Sequence, residues 1–130
     1  MLRKMKFVAK EAILRTKYIM DKNCIFCKIV TGEVKAELLY ESDSVFAIHD
    51  INPSANVHIL IIPKRHINSV LELTTGDSDV VVEMYKAAQK LVSDRSIDAY
   101  RLVFNGGRFQ HVPHLHMHLL AGGKVEWEKL

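Results

Sequence analysis

Three histidines, His114, His116 and His118, occupy every second position of the stretch HVPHLHMHLL (residues 111–120), with Leu115, Met117 and Leu119 between them. Imidazole has several chemistries to offer at such a place. Neutral, it ligates zinc or attacks phosphorus to give a labile cationic adduct; as a donor, it hydrogen-bonds phosphate oxygens. The plain alternative is a set of histidines tolerated on an exposed sheet face. A second pattern is C-x-x-C, formed by Cys24 and Cys27, the only cysteines. By itself that pattern fits redox chemistry, zinc binding or two packed thiols equally.

The spacing decides what must carry the histidines. On a helix, residues two apart diverge by about 200°, whereas on a strand they share a face. Pro113 also disfavours helical backbone at Val112. The sequence therefore predicts a strand over 112–120, with the three imidazoles on one face and Leu115, Met117 and Leu119 in the core. From the first imidazole to the third such a strand spans ~13 Å, so one centre cannot touch all three equally.

The rest of the chain predicts the elements around that strand. Residues 37–41 and 45–50 flank Ser-Asp-Ser and read as a hairpin. A strand follows at Val57–Ile62 and ends at Pro63. Val81, Met84, Tyr85, Ala88, Leu91 and Val92 form one apolar stripe of a helix within 77–93. Residues 100–104 make a strand, and Asn105-Gly-Gly opens a loop. This is an α+β pattern: an antiparallel sheet of about five strands with one principal helix.

Charge and composition narrow the function. The net charge is +3, but residues 1–20 hold six Lys/Arg against one Glu, and residues 21–130 hold twelve against fourteen acids. The mildly acidic remainder argues against a nucleic-acid binder. No apolar run approaches the ~20 residues that span a bilayer, so no membrane partner is expected. Met5, Val8, Ala9, Ala12 and Ile13 predict a basic amphipathic helix as an N-terminal extension over 1–20, ahead of one domain over 21–130. Lys10 and Glu11 interrupt any secretory h-region. The expected location is cytoplasmic, or organellar if the extension is a transit peptide, and a structural disulfide is not expected there.

The residues from Gln110 to Leu120 resemble the His-φ-His-φ-His-φ-φ signature of the histidine triad (HIT) family, φ being apolar. CIFCKI (24–29), FAIHDINP (46–53), IIPKRHI (61–67) and NGG (105–107) appear in the order expected for its Hint-like purine nucleoside phosphoramidase branch. The resemblance runs from about Asn23 to Trp127 and leaves out residues 1–20. It implies a homodimer with a continuous sheet, and cleavage of nucleoside 5′-phosphoramidates or adenylates of AMP or GMP type. The rival readings are a nucleotide-binding adaptor with little turnover and a dinucleoside polyphosphate hydrolase.

By the same resemblance His116 is the nucleophile, assisted by His118, His114 and His111. Asn105 and Gln110 would help hold the phosphate, and Asp50, beside His49, would take the ribose hydroxyls. Ile25, Phe26, Ile29, Ile48 and Ile51 match the apolar slot for the base. Cys24, Cys27, His66 and His114 match the ligands of a structural zinc in relatives that keep both cysteines; no organic cofactor is implied. Two departures stand out: His111 replaces a small hydroxyl residue, and Phe109 replaces a glycine. Trp127 resembles a C-terminal tryptophan that reaches the partner's site in some relatives, offset by one residue.

Overall fold

Apolar residues occupy both faces of the central strands, so the sheet needs a cover on each side. The computed structural model describes residues 3–4 and 20–130. Its main sheet contains β3 (Tyr40–Glu41), β4 (Val45–His49), β5 (Val57–Pro63), β6 (Tyr100–Val103) and β7 (Met117–Ala121). Their spatial order is β3-β4-β5-β7-β6, and every neighbouring pair is antiparallel. A separate ladder joins β1 (Arg3–Lys4) to β2 (Glu37–Leu38). The expected α+β fold, with five main strands and one principal helix, is what forms. The expected N-terminal helix rests on Met5, Val8, Ala9, Ala12 and Ile13, which lie outside the described residues.

Strand alternation sorts the core into two layers. Val45, Ala47, Ile59, Ile61, Met117 and Leu119 pack under the long helix α2 (Ser78–Asp94), against Met84, Ala87, Ala88 and Leu91. The intervening residues Phe46, Leu60 and Ile62 face the short helix α1 (Ile25–Val30) and meet Phe26, Ile29 and Val30. The apolar stripe of α2 differs from the expected one. Tyr85 is 44% exposed, and Ala87 takes its place in the core. A stripe through Met84, Ala88 and Leu91 leaves Tyr85 about 100° off its centre, and the neighbouring helix face is Val80 and Ala87.

The histidine strand is shorter than expected, at 117–121 instead of 112–120. Pro113 has no amide hydrogen to give a ladder. The His114 amide donates to the Val112 carbonyl at 2.8 Å, and the Leu115 amide donates to the Ile67 carbonyl at 2.6 Å. Those bonds draw His114 out of the sheet toward the 63–67 segment, while Leu115, Met117 and Leu119 stay buried. Beyond β7, Gly122 (φ 89°) and Gly123 (φ 109°) turn the chain back. A Cβ on Gly122 would lie 2.8 Å from the Asn56 Cβ, so only glycine fits that turn. Among the described residues no helix is long and apolar enough to cross a membrane.

Candidate active site and metal centre

The face of the sheet under α1 carries a cavity of about 660 Å³. Ile25, Phe26 and Ile29 of α1 form one wall, Ile48, His49, Asp50 and Ile51 another. His111, His116 and His118 lie at one side of it. Ten of the residues named from the sequence thus meet in one pocket. Ile51 is fully exposed and Ile25 partly exposed at its rim, while Phe26 and Ile29 are buried. Leu60, Val34, Ala36 and the tail residues Lys129 and Leu130 also line it, and no motif or spacing pointed to them.

His116 is held in one tautomer. Its Nδ1–H donates to the His114 carbonyl at 2.7 Å, which leaves the Nε2 lone pair free in neutral imidazole. The Phe26 ring stands edge-on to it at 5.3 Å, and the side chain is 7% exposed. Burial pushes its pKa below the ordinary imidazole value, outweighing the opposite effect of its hydrogen bond to the His114 carbonyl. Neutral imidazole is the nucleophilic form.

His118 is fixed by His58, which belongs to none of the motifs. The Ser54 amide donates to His58 Nδ1 at 2.9 Å, so neutral His58 carries its proton on Nε2. That atom lies 2.8 Å from His118 Nδ1 and 3.3 Å from Asp50 Oδ2. His118 Nδ1 accepts, so its own proton sits on Nε2, and the Asn105 amide N–H, 3.4 Å away, is a second donor beside it. Burial, then the charges of His116, His58 and His111, push His118 down to about 3. Burial likewise lowers His58, opposed by Asp50. The signal for His58 was present: it is the one polar residue in the apolar run VHILII, on the same face as Leu60 and Ile62.

His114 lies elsewhere, fully buried. Cys24, Cys27, His66 and His114 place their four ligand atoms within 4.8 Å of one another. The Cys24 sulfur is 3.3 Å from His114 Nδ1, and the Cys27 sulfur is 3.2 Å from His66 Nδ1 and 3.6 Å from His114 Nδ1. Ligands about 2.0–2.3 Å from a tetrahedral zinc would stand ~3.3–3.8 Å apart, close to these separations. The second shell points the same way. His114 Nε2–H donates to the Pro63 carbonyl at 2.7 Å, and His66 Nε2–H donates to Asn68 Oδ1 at 2.6 Å. Both Nδ1 lone pairs are thereby turned inward, 3.1 Å apart, where only a shared cation or proton relieves their repulsion. The Cys27 thiol donates to Cys24 and holds Cys24 down to about 3; Cys27 is pushed up in turn. The residues present fit a closed four-ligand zinc site.

The remaining named residues sit at the margins. Gln110 turns away from the pocket and donates to the Asn68 carbonyl at 2.6 Å and the Val112 carbonyl at 3.0 Å. His111 Nε2 is 3.0 Å from the Leu130 backbone oxygen, which brings the tail onto the pocket wall. Trp127 is 53% exposed and packs beneath Arg101, 5.5 Å from its ring centre.

Buried neutral imidazoles beside an apolar pocket, on a five-stranded antiparallel sheet, make this a histidine-based site. A family model described as scavenger mRNA decapping enzyme C-term binding matches residues 23–129. An uncharacterised HIT-like protein of Synechocystis sp. is 37% identical over 111 residues, covering 83% of this chain and 97% of the relative. Among solved structures, a HIT family hydrolase from Clostridium thermocellum is 44% identical with a TM-score of 0.77, covering 80% and 94% of the two chains. A histidine triad protein from Clostridium difficile is 37% identical with the same TM-score of 0.77, covering 82% and 96%. The chain belongs to the histidine triad (HIT) family. In sequence and fold it is similar to the HIT family hydrolases.

Proposed function

We propose that this protein cleaves nucleoside 5′-phosphoramidates or adenylates of AMP or GMP type through a nucleotidyl-His116 intermediate. The observation that carries this reading is the His116 tautomer. With Nδ1–H given to the His114 carbonyl and burial keeping the ring neutral, Nε2 is a free lone pair on the pocket wall. It attacks the phosphorus, the bond to the leaving amine breaks, and the amine takes a proton, for which His111 is the group at hand. Water then cleaves the phosphorus–nitrogen bond and regenerates the imidazole. His118 Nε2–H and Asn105 stabilise the charge on the phosphoryl oxygens.

The ligand is a purine nucleoside monophosphate moiety. Ile25, Phe26, Ile29, Ile48 and Ile51 take the base, and Asp50 accepts from two vicinal ribose hydroxyls. Cys24, Cys27, His66 and His114 would hold zinc, which supplies structural cross-linking and no reaction step. The partner is a second copy joined through the open edge of the sheet, a homodimer. Mass spectrometry of protein quenched during turnover of an AMP phosphoramidate is expected to find an acid-labile AMP adduct on His116, absent in His116→Ala. Undiminished turnover in that variant would remove the mechanism. Metal analysis of untagged protein is expected to find about one zinc per chain, and less than a few tenths would count against the site.

A further inference from the structure

The four-residue knot and the nucleophile are one mechanical unit. His114 gives its side chain to the knot and its carbonyl to His116, at 2.7 Å. Phe26 lies between the two cysteines in sequence, and its ring touches both imidazoles edge-on, at 5.5 Å from His114 and 5.3 Å from His116. A third tie runs from His66 to Asn68 and from Asn68 through Gln110 to Val112. On the knot's other side is a separate cavity of about 810 Å³, lined by Cys27 and His66 together with Asn23, Lys28 and Asn68. Neither His116 nor His118 lines it. A small polar oxidant therefore has a way to Cys27 that does not pass through the nucleotide pocket.

We propose that Cys24 and Cys27 are a reversible redox modification site, whose oxidation to an intrachain disulfide by a peroxide unlocks His116. The Cys27 amide donates to the Cys24 sulfur at 3.5 Å, so the Cys24 side chain already folds back over Cys27. The two sulfurs start no more than 4.8 Å apart and must close to about 2.05 Å. One thiol attacks a peroxide oxygen to give a sulfenic acid and one water. The second thiol displaces the hydroxyl, forming the S–S bond and a second water. Two electrons pass from sulfur to peroxide, and a dithiol reductant reverses the change; from a metal-held thiolate pair the two protons come from solvent and the ion is released.

The disulfide has no thiolate to offer. His66 and His114 keep their Nε2–H groups pinned on Asn68 and Pro63, so their Nδ1 lone pairs face each other without a cation between them. Relief of that repulsion moves His114 and lengthens its carbonyl's bond to His116. The inference rests on the reading of His116 as nucleophile only for its effect on turnover; disulfide formation and the His116 hydrogen bond are read independently.

The test treats the full-length protein with hydrogen peroxide, then with dithiothreitol. The expected result is a Cys24–Cys27 peptide lighter by two hydrogens, and loss or shift of the downfield His116 Nδ1–H signal in proton NMR. AMP affinity and turnover should fall about 10- to 100-fold, and all changes should reverse with dithiothreitol. Cys27→His keeps a ligand but cannot form the disulfide, so its treated-to-untreated ratio should stay near one; Cys24→Ser gives the same readout should Cys27→His misfold. A disulfide that leaves the His116 signal in place overturns the coupling. Failure of any disulfide to form, with sulfinic acid or unchanged thiols instead, overturns the modification site. Absence of AMP binding in the untreated protein would count against the nucleotide reading alone.

Discussion

Under α2, alternate residues of β4, β5 and β7 present Val45, Ala47, Ile59, Ile61, Met117 and Leu119 to an aliphatic helix face. Under α1, the residues between them present Phe46, Leu60 and Ile62 together with two imidazoles, His58 and His118. The strands are the same and the burial is alike, since Leu119 is 0% and His118 4% exposed. What differs is what burial does. For Leu119 it removes apolar surface from water, worth about 1.5–3 kcal/mol. For His118 it penalises the charged form and keeps the ring neutral. A single pleat thus uses one layer for stability and the other for chemistry.

The widest way to test that division is to delete one residue from each layer. His116→Ala is expected to lower turnover of an AMP phosphoramidate by a factor on the order of 10⁴ or more, with a thermal midpoint close to the parent's. Leu119→Ala is expected to lose about 3 kcal/mol in denaturant unfolding, while the fraction that remains folded keeps its turnover. If His116→Ala unfolded the protein, or Leu119→Ala removed activity from folded molecules, the two layers would not be separable in this way.

A smaller effect concerns pH. The unfolded His118 takes up a proton near the ordinary value of 6.5, but the folded one does so only at about 3. Between these values the unfolded state binds more protons, so stability is full above pH 6.5 and falls as the pH is lowered toward 3. His58 and His116, also held low, act in the same direction. Thermal midpoints measured from pH 7.5 to 5 should decline, with a shallower decline in His118→Gln. A flat profile in the parent protein would show that the imidazoles are not kept neutral by the fold.

Much of this is legible in the sequence alone, because periodicity and residue type are enough. Alternation placed Leu115, Met117 and Leu119 in the core, and the hairpins and the long helix fell where turn residues and apolar spacing put them. The family signature brought Cys24, Cys27 and His66 together with His114, which no local pattern could do across ninety residues. What failed was local. The start of β7 depended on where the amides of His114 and Leu115 found acceptors, and Ile67 lies far off in sequence. Tyr85 reads as apolar by type, but its place on α2 leaves it in solvent. His58 stands out as the one polar residue of an apolar strand, but its partner Asp50 is eight residues away across a turn, so the pairing carried no local signal. The contact of the tail with His111 carried no pattern at all.

The position of β7 between β5 and β6 has a consequence for the timescale of motion at this site. His118 lies within a strand paired on both sides, opposite Leu60 and Val103, so its backbone amide should exchange with solvent deuterium only when much of the sheet opens. His114 lies in the bend before the strand, its amide held by Val112 alone, and should exchange through small local openings. The two histidines flanking His116 therefore sit on either side of a boundary between slow and fast exchange, with His116 at the step between them.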